Sequence, residues 1–146
     1  MDKSLYNSYL LVDKKKIKTN ILEIIALLPQ GARLIPVLKC NAYGLGLTEM
    51  VQIIQDIPAV SMLAVAQLIE ALEVRKTDSR RDVLVLGAVT EEAQYQAAVQ
   101  QHITLNAYRP EMIQQLAAVA RELGETARVQ IKINTGLNRL GVKPGA

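Results

Sequence analysis

Five short aliphatic runs recur in this sequence at a nearly constant interval, at 34–38, 61–66, 83–87, 103–106 and 129–134. Their starts lie 20 to 27 residues apart, the length of one strand and one helix with their turns. The intervening segments 48–55, 67–75, 91–100 and 110–123 carry apolar residues at helical spacing and are predicted as helices. Strands separated by helices must run parallel, because a crossover of that length returns the chain to the same end of the sheet. The apolar half of the composition suits such a sheet, being almost wholly aliphatic, with no Phe and no Trp. The sequence therefore predicts an α/β protein, and 146 residues allow one ordinary domain.

Ahead of the first run, residues 9–13 read as a short lead-in strand. Asp13 then caps a helix reaching about Leu28, with Ile17, Ile21, Ile24, Ile25 and Leu28 at helical spacing. Pro29 and Gly31 end it.

A parallel sheet is either open or closed. Five units complete an open doubly wound sheet, or form the first part of an eight-unit barrel, which takes about 250 residues. The run "VQIKIN" favours the barrel. Val129, Ile131 and Ile133 share one face, and Gln130 and Lys132 share the other. An open sheet covered by helices on both sides needs both faces apolar, whereas a barrel strand shows helices one face and the interior the other. The sequence stops shortly after this run, so the expectation is a truncated (β/α)8 barrel of the TIM type. Pro36 fits poorly in a central strand and predicts a local bulge.

Several function classes find no support. The net charge of +3 comes largely from Lys14, Lys15 and Lys16, which have no interleaved aromatic residues and read as a solvated helix start, not a nucleic-acid contact. No segment has the length and hydropathy of a signal peptide or membrane span. A single cysteine, Cys40, permits no internal disulfide and fits a reducing, cytoplasmic setting. No His/Cys/carboxylate cluster has metal-ligand spacing and no Ser–His pair suggests a hydrolase; His102 reads as a rim residue. Glu91 and Glu92 read as residues of a helix first turn, where the dipole favours them. Cys40 is expected to face opposite Lys39 and fill the core.

Two constellations carry chemistry. In "LIPVLKCNAYGLGL", Lys39 ends an apolar run at the carboxyl end of a strand, where parallel α/β folds gather functional groups. One reading is a lysine reaching out from the sheet rim; the other is a Schiff-base lysine. Gly44 and Gly46 behind it would let backbone amides approach a phosphate, with the Tyr43 hydroxyl alongside. In "IKINTGLNRLG", Lys132 is expected to face the interior and Arg139 to follow in a glycine-bearing loop. Two neighbouring cations there require an anionic partner or neutralisation, unless both reach solvent.

Together the two motifs resemble those of the alanine racemase family. "VLKCNAYGLG" is similar to the family's cofactor-lysine motif V-K-A-[DN]-A-Y-G-H-G, and "IKINTGLNRLG" is similar to K-[VIL]-D-T-G-M-x-R-[LI]-G. "VDKKKIKTNI" looks like the family's lead-in segment, with Asn20 at its asparagine. The resemblance implies a pyridoxal 5'-phosphate enzyme that interconverts L- and D-amino acids, alanine foremost, as a cytoplasmic homodimer. It implies that Lys39 binds the cofactor covalently and acts as one of two acid/base groups. By the same resemblance, Tyr43 bonds the cofactor phosphate, Arg139 is directed at the cofactor's phenolic oxygen and the substrate carboxylate, and Lys132 is a lysine carbamylated in many members.

Leu45, Asn134, Leu137 and Cys40 depart from the family's usual histidine, aspartate, methionine and alanine, which bears on substrate preference. The remaining barrel units and a C-terminal β-domain, carrying the second acid/base tyrosine, are expected to lie outside residues 1–146. Two alternatives stay open. One is an amino-acid decarboxylase of the same barrel class, although those carry "VKCN" or "VKAN" without the rest of either motif. The other is a non-catalytic module binding a phosphorylated small molecule.

Overall fold

The computed structural model describes residues 7–144. Its elements keep the expected alternation: α1 (Lys14–Ala26), α2 (Lys39–Tyr43), α3 (Leu47–Ile54), β1 (Met62–Val65), α4 (Leu68–Thr77), β2 (Asp82–Val85), α5 (Glu92–Gln100), β3 (Thr104–Ala107), α6 (Pro110–Glu122) and β4 (Arg128–Ile131). The four strands form one parallel sheet in sequence order, with Ala64 beside Leu84, Leu84 beside Thr104, and Thr104 beside Arg128. Uninterrupted sequence order is the arrangement of consecutive barrel strands.

Side-chain parity divides the first three strands into two faces. Leu63, Val65, Val83, Val85, Ile103 and Leu105 belong to the buried cluster shared with the helices, which supply Val51, Ile54, Ala71, Val74, Tyr95, Met112 and Leu116. The even-numbered residues Ala64, Leu84, Thr104 and Asn106 lie on the other face and are also buried. On β4, Arg128 and Gln130 stand beside Thr104 and Asn106 in register, and Val129 lines a groove with Ile113, Leu116 and Ala120 of α6, but all four residues of the strand are exposed.

The first aliphatic run is shorter as a strand than expected. Only Val37 pairs, forming an isolated parallel bridge with Ala64. Ala64 donates to the Pro36 carbonyl at 2.9 Å and Leu38 donates to the Ala64 carbonyl at 2.7 Å. The next bond back along that ladder would need an N–H on Pro36, which proline lacks, so pairing starts at residue 37 without a bulge. The predicted lead-in strand at 9–13 is not formed: this segment is irregular, with Tyr9, Leu10 and Leu11 exposed. Strand composition over four or five residues does not by itself make a strand.

The Asp13 cap is as expected, its carboxylate accepting from the Lys15 and Lys16 amides at 3.0 and 3.1 Å. Lys14, Lys15 and Lys16 are exposed on the first turn of α1. Among the described residues no helix is long and apolar enough to cross a membrane.

The amino-terminal end of the sheet is closed by arginines. Arg81, just before β2, donates to the carbonyls of Val60, Ile54, Gln55 and Ile57 and pairs with the buried Asp78. Arg75 donates to the carbonyls of Gln101 and His102 at 2.9 and 3.1 Å. The planar guanidinium groups gather carbonyls from the end of α3, the loop after it and the loop after α5. Across β3, Arg128 pairs with Asp82 at 2.7 Å.

Replacing Arg81 by Ala should destabilise the protein by about 3–5 kcal/mol, because it strands a buried carboxylate. Arg81→Lys should restore little of that, and chemical denaturation measures both. Burial acts to raise the Asp78 carboxyl, but the Arg80 and Arg81 amides and the Arg81 guanidinium together hold it below its ordinary 3.8. The unfolded chain thus takes up this proton first, so the stability it contributes is complete above about pH 4 and is lost as pH falls further. Unfolding free energies measured between pH 6 and 3 should fall more steeply for the wild type than for Asp78→Asn.

Candidate active site at the carboxyl rim of the sheet

Lys39 stands at the carboxyl end of the first run, directly after the residues that bridge to β1, and is half-buried. The backbone immediately after it is the most unusual among the described residues. Cys40, Asn41, Ala42 and Tyr43 all have φ of 52–55°, so α2 is a turn of left-handed helix closed by Gly44 at φ 87°. A left-handed conformation costs an L-residue about 1–2 kcal/mol, and residues adopt it singly as a rule. Four in succession persist only where the surroundings over-determine them.

The surrounding bonds are specific. Ala42 is buried and its N–H donates to the Leu38 carbonyl at 2.9 Å. Gly44 donates to the carbonyls of Cys40 and Asn41, and Gly46 to that of Asn41. The Asn41 side chain accepts from the Leu47 amide at 2.8 Å, capping the start of α3 from six residues upstream. Asparagine tolerates the left-handed region better than other non-glycine residues, which suits it to this place. The Cys40 amide donates to Glu70 Oε1 at 2.6 Å.

This turn corrects two expectations. Cys40 is exposed and does not fill the core, because the left-handed turn breaks the strand parity on which that expectation rested; Ala42 takes the buried place. Gly44 and Gly46 do not present a free amide cradle. The amides of Gly44, Leu45, Gly46 and Leu47 are all engaged by Cys40, Asn41 or Ala42. The two glycines serve instead to leave the turn at positive φ, 87° and 96°.

Left-handed winding brings Tyr43 round beside Lys39, whose Nζ lies 5.9 Å from the tyrosine ring centroid. Tyr43 is 63% exposed, so its ring and hydroxyl reach open space on the rim. Lys132 and Arg139 stand on the same rim at the far side of the sheet, with β1, β2 and β3 between. Both are exposed. The Lys132 amide extends the ladder beyond β4, donating to the Ala107 carbonyl at 2.8 Å.

The loop bearing Arg139 is built on asparagine. Asn134 Oδ1 accepts from the amides of Gly136 and Asn138, each at 3.1 Å, and Asn134 Nδ2 donates to Asn138 Oδ1 at 2.9 Å. Gly141, at φ 118°, folds the chain back so closely that a Cβ there would sit 2.7 Å from the Asn134 nitrogen. These contacts hold a loop open to solvent in one shape.

Sequence reasoning singled out Lys39, Tyr43, Lys132 and Arg139 but passed over Asn41 and Glu70. Asn41 carried a legible signal in its tolerance of positive φ. Glu70 carried one as the third residue after Gln67, the spacing of a helix capping box, which the structure shows formed. Its bond to Cys40 spans 30 positions and left no local trace.

The profile described as "Alanine racemase, N-terminal domain" matches residues 12–146. An alanine racemase of Methanococcus maripaludis is 38% identical over 133 residues, covering 91% of this chain and 35% of the relative. Alanine racemase 1 of Bacillus subtilis is also 38% identical, over 90% of this chain and 33% of its own length. Among solved structures, an alanine racemase from Clostridium difficile 630 superposes with a TM-score of 0.84 at 30% identity, covering 90% of this chain and 34% of that one. The biosynthetic alanine racemase from Pseudomonas aeruginosa gives 0.80 at 32% identity, over 91% and 36%. The chain thus spans about a third of the length of the relatives it matches.

Asn41→Ala should cost about 1–2 kcal/mol, by removing the Leu47 cap and placing alanine at positive φ. Asn41→Gly should cost less, since it loses only the cap. Faster amide hydrogen exchange at Leu47 in both variants, with the larger stability loss in the alanine variant, would check this.

Proposed function

This chain belongs to the alanine racemase family, and on that premise we propose that it is the N-terminal third of a pyridoxal-phosphate-dependent amino-acid racemase. Alanine is the favoured substrate. The carrying observation is Lys39: half-buried, at the carboxyl rim of a parallel sheet, on a strained turn whose sequence matches the family's cofactor-lysine motif. Strain of this kind collects at functional sites, where the surroundings hold a group in one place.

The residues present fit the cofactor. Lys39 offers a primary amine for a covalent bond, Tyr43 an exposed hydroxyl for the phosphate, and Arg139 a guanidinium for anionic oxygen. Bound pyridoxal phosphate supplies an electron sink that stabilises the charge left when an α-proton departs. Lys39 Nζ then holds or returns that proton on one face of the substrate Cα. A short, rigid attachment at the strand end favours such transfer, because a general base must lie within hydrogen-bond reach of its proton.

Arg139 serves the substrate carboxylate. Lys132, just past β4, would suit Arg139 as a partner once carbamylated, since a carbamate is anionic where lysine and arginine cations would repel. The opposite face of Cα requires a second acid/base group, which the family's pattern assigns to a tyrosine of a C-terminal domain across a homodimer interface. On this reading the 146 residues alone are inactive.

Borohydride reduction of the full-length protein with pyridoxal phosphate, followed by peptide mapping, tests the assignment. A pyridoxyl mark on Lys39, with racemisation of alanine lowered at least about 1000-fold by Lys39→Ala, is expected. Release of carbon dioxide from the amino acid instead of loss of optical rotation would replace the racemase with a decarboxylase. An unmarked Lys39 in the folded protein would remove both.

A further inference from the structure

Glu70 uses its two carboxylate oxygens for different tasks. Oε2 accepts from the amides of Ala66 and Gln67 at 2.9 and 3.0 Å, completing the cap of α4. Oε1 is not needed for that cap. It accepts instead from the Cys40 amide at 2.6 Å, reaching from α4 to the residue after Lys39.

The Cys40 N–H belongs to the peptide unit that begins at the Lys39 carbonyl. Fixing that plane fixes ψ of Lys39, and with it the direction in which the lysine Cα leaves the strand. The amide also stands at the start of α2, where no earlier residue of the turn can accept from it. A carboxylate acceptor makes the bond short and strong. At its other end Glu70 is tied to the last residues of the β1 strand exit, Ala66 and Gln67, and so to the sheet itself.

We propose that Glu70 is a positioning residue for Lys39: it clamps the first peptide of the left-handed turn to the end of β1 and so sets where the lysine amine sits. The proposal rests on the reading of Lys39 as the cofactor lysine. It differs from a helix-capping role in a way that can be measured, because Gln67 is the other half of the capping box while the bond to the Cys40 amide is made by Glu70.

The test uses the full-length protein as wild type, Glu70→Ala, Glu70→Gln and Gln67→Ala. Two quantities are read: amide hydrogen exchange of the peptide containing Cys40 in cofactor-free protein, and the pyridoxal phosphate concentration giving half-maximal borohydride trapping at Lys39. Glu70→Ala should speed exchange and raise the half-saturating concentration by on the order of 10- to 100-fold, the scale of a small misplacement of a reacting group. Glu70→Gln keeps an acceptor oxygen without the charge and should fall between. Gln67→Ala should leave both quantities within about twofold of wild type while lowering stability as a lost cap does.

Wild-type values in Glu70→Ala would overturn the proposal, as would equal effects of Gln67→Ala and Glu70→Ala. If Glu70→Ala does not fold, Glu70→Gln decides by the same two readouts, and wild-type values there overturn it. An unmarked wild-type Lys39 removes the functional reading and this proposal with it. A marked wild type with unaltered Glu70 variants removes this proposal alone.

Discussion

Parallel pairing in sequence order is the constraint on which the rest of the molecule depends. Once Ala64 lies beside Leu84, Leu84 beside Thr104 and Thr104 beside Arg128, the pleat assigns every strand residue to the helices or to the interior. Odd-numbered aliphatics face the helices and form the buried cluster. Even-numbered residues form an inner row that grows more polar from Ala64 to Thr104 and Lys132. The helices cover the outer face, the arrangement of the strands in a (β/α)8 barrel.

The two ends of the sheet are treated differently. At the amino-terminal end, Arg75 and Arg81 gather loop carbonyls with guanidinium groups, and Asp78 balances one of them. These contacts tie loops together and belong to stability. At the carboxyl end the chain leaves the strands through asparagine and glycine at positive φ: Asn41, Gly44 and Gly46 on one side, Gly136, Asn138 and Gly141 on the other. There the backbone is held in costly conformations that aim Lys39, Tyr43 and Arg139 at the rim. On the proposed reading, the division matches the separation of stability and function seen between the two ends of barrels in general.

The left-handed turn links these themes. It is strained, so it needs anchors, and its anchors come from three sources: the Ala42 side chain in the core, the Asn41 cap on α3, and the Glu70 carboxylate on α4. Each ties the turn to a different neighbouring element. A lysine mounted this way has less freedom at its backbone than one in an ordinary loop, which is the property a covalent cofactor anchor needs.

Much of this was legible in the linear chain. The spacing of aliphatic runs determined the element order, because period-2 and period-3.6 burial each leave a local pattern. The alternation in "VQIKIN" gave β4 its parity though not its burial, since all of β4 is exposed, and the paired motifs pointed to Lys39, Tyr43, Lys132 and Arg139. Tertiary structure alone decided the rest. Residues 9–13 have strand composition but are irregular, and Pro36 delays pairing through a missing donor opposite a neighbouring strand. Cys40 left the core because four residues turned left-handed, a conformation that their own preferences oppose and that bonds from α3 and α4 sustain. Local preference is written residue by residue, whereas a strained turn exists only by the contacts it makes with residues far along the chain.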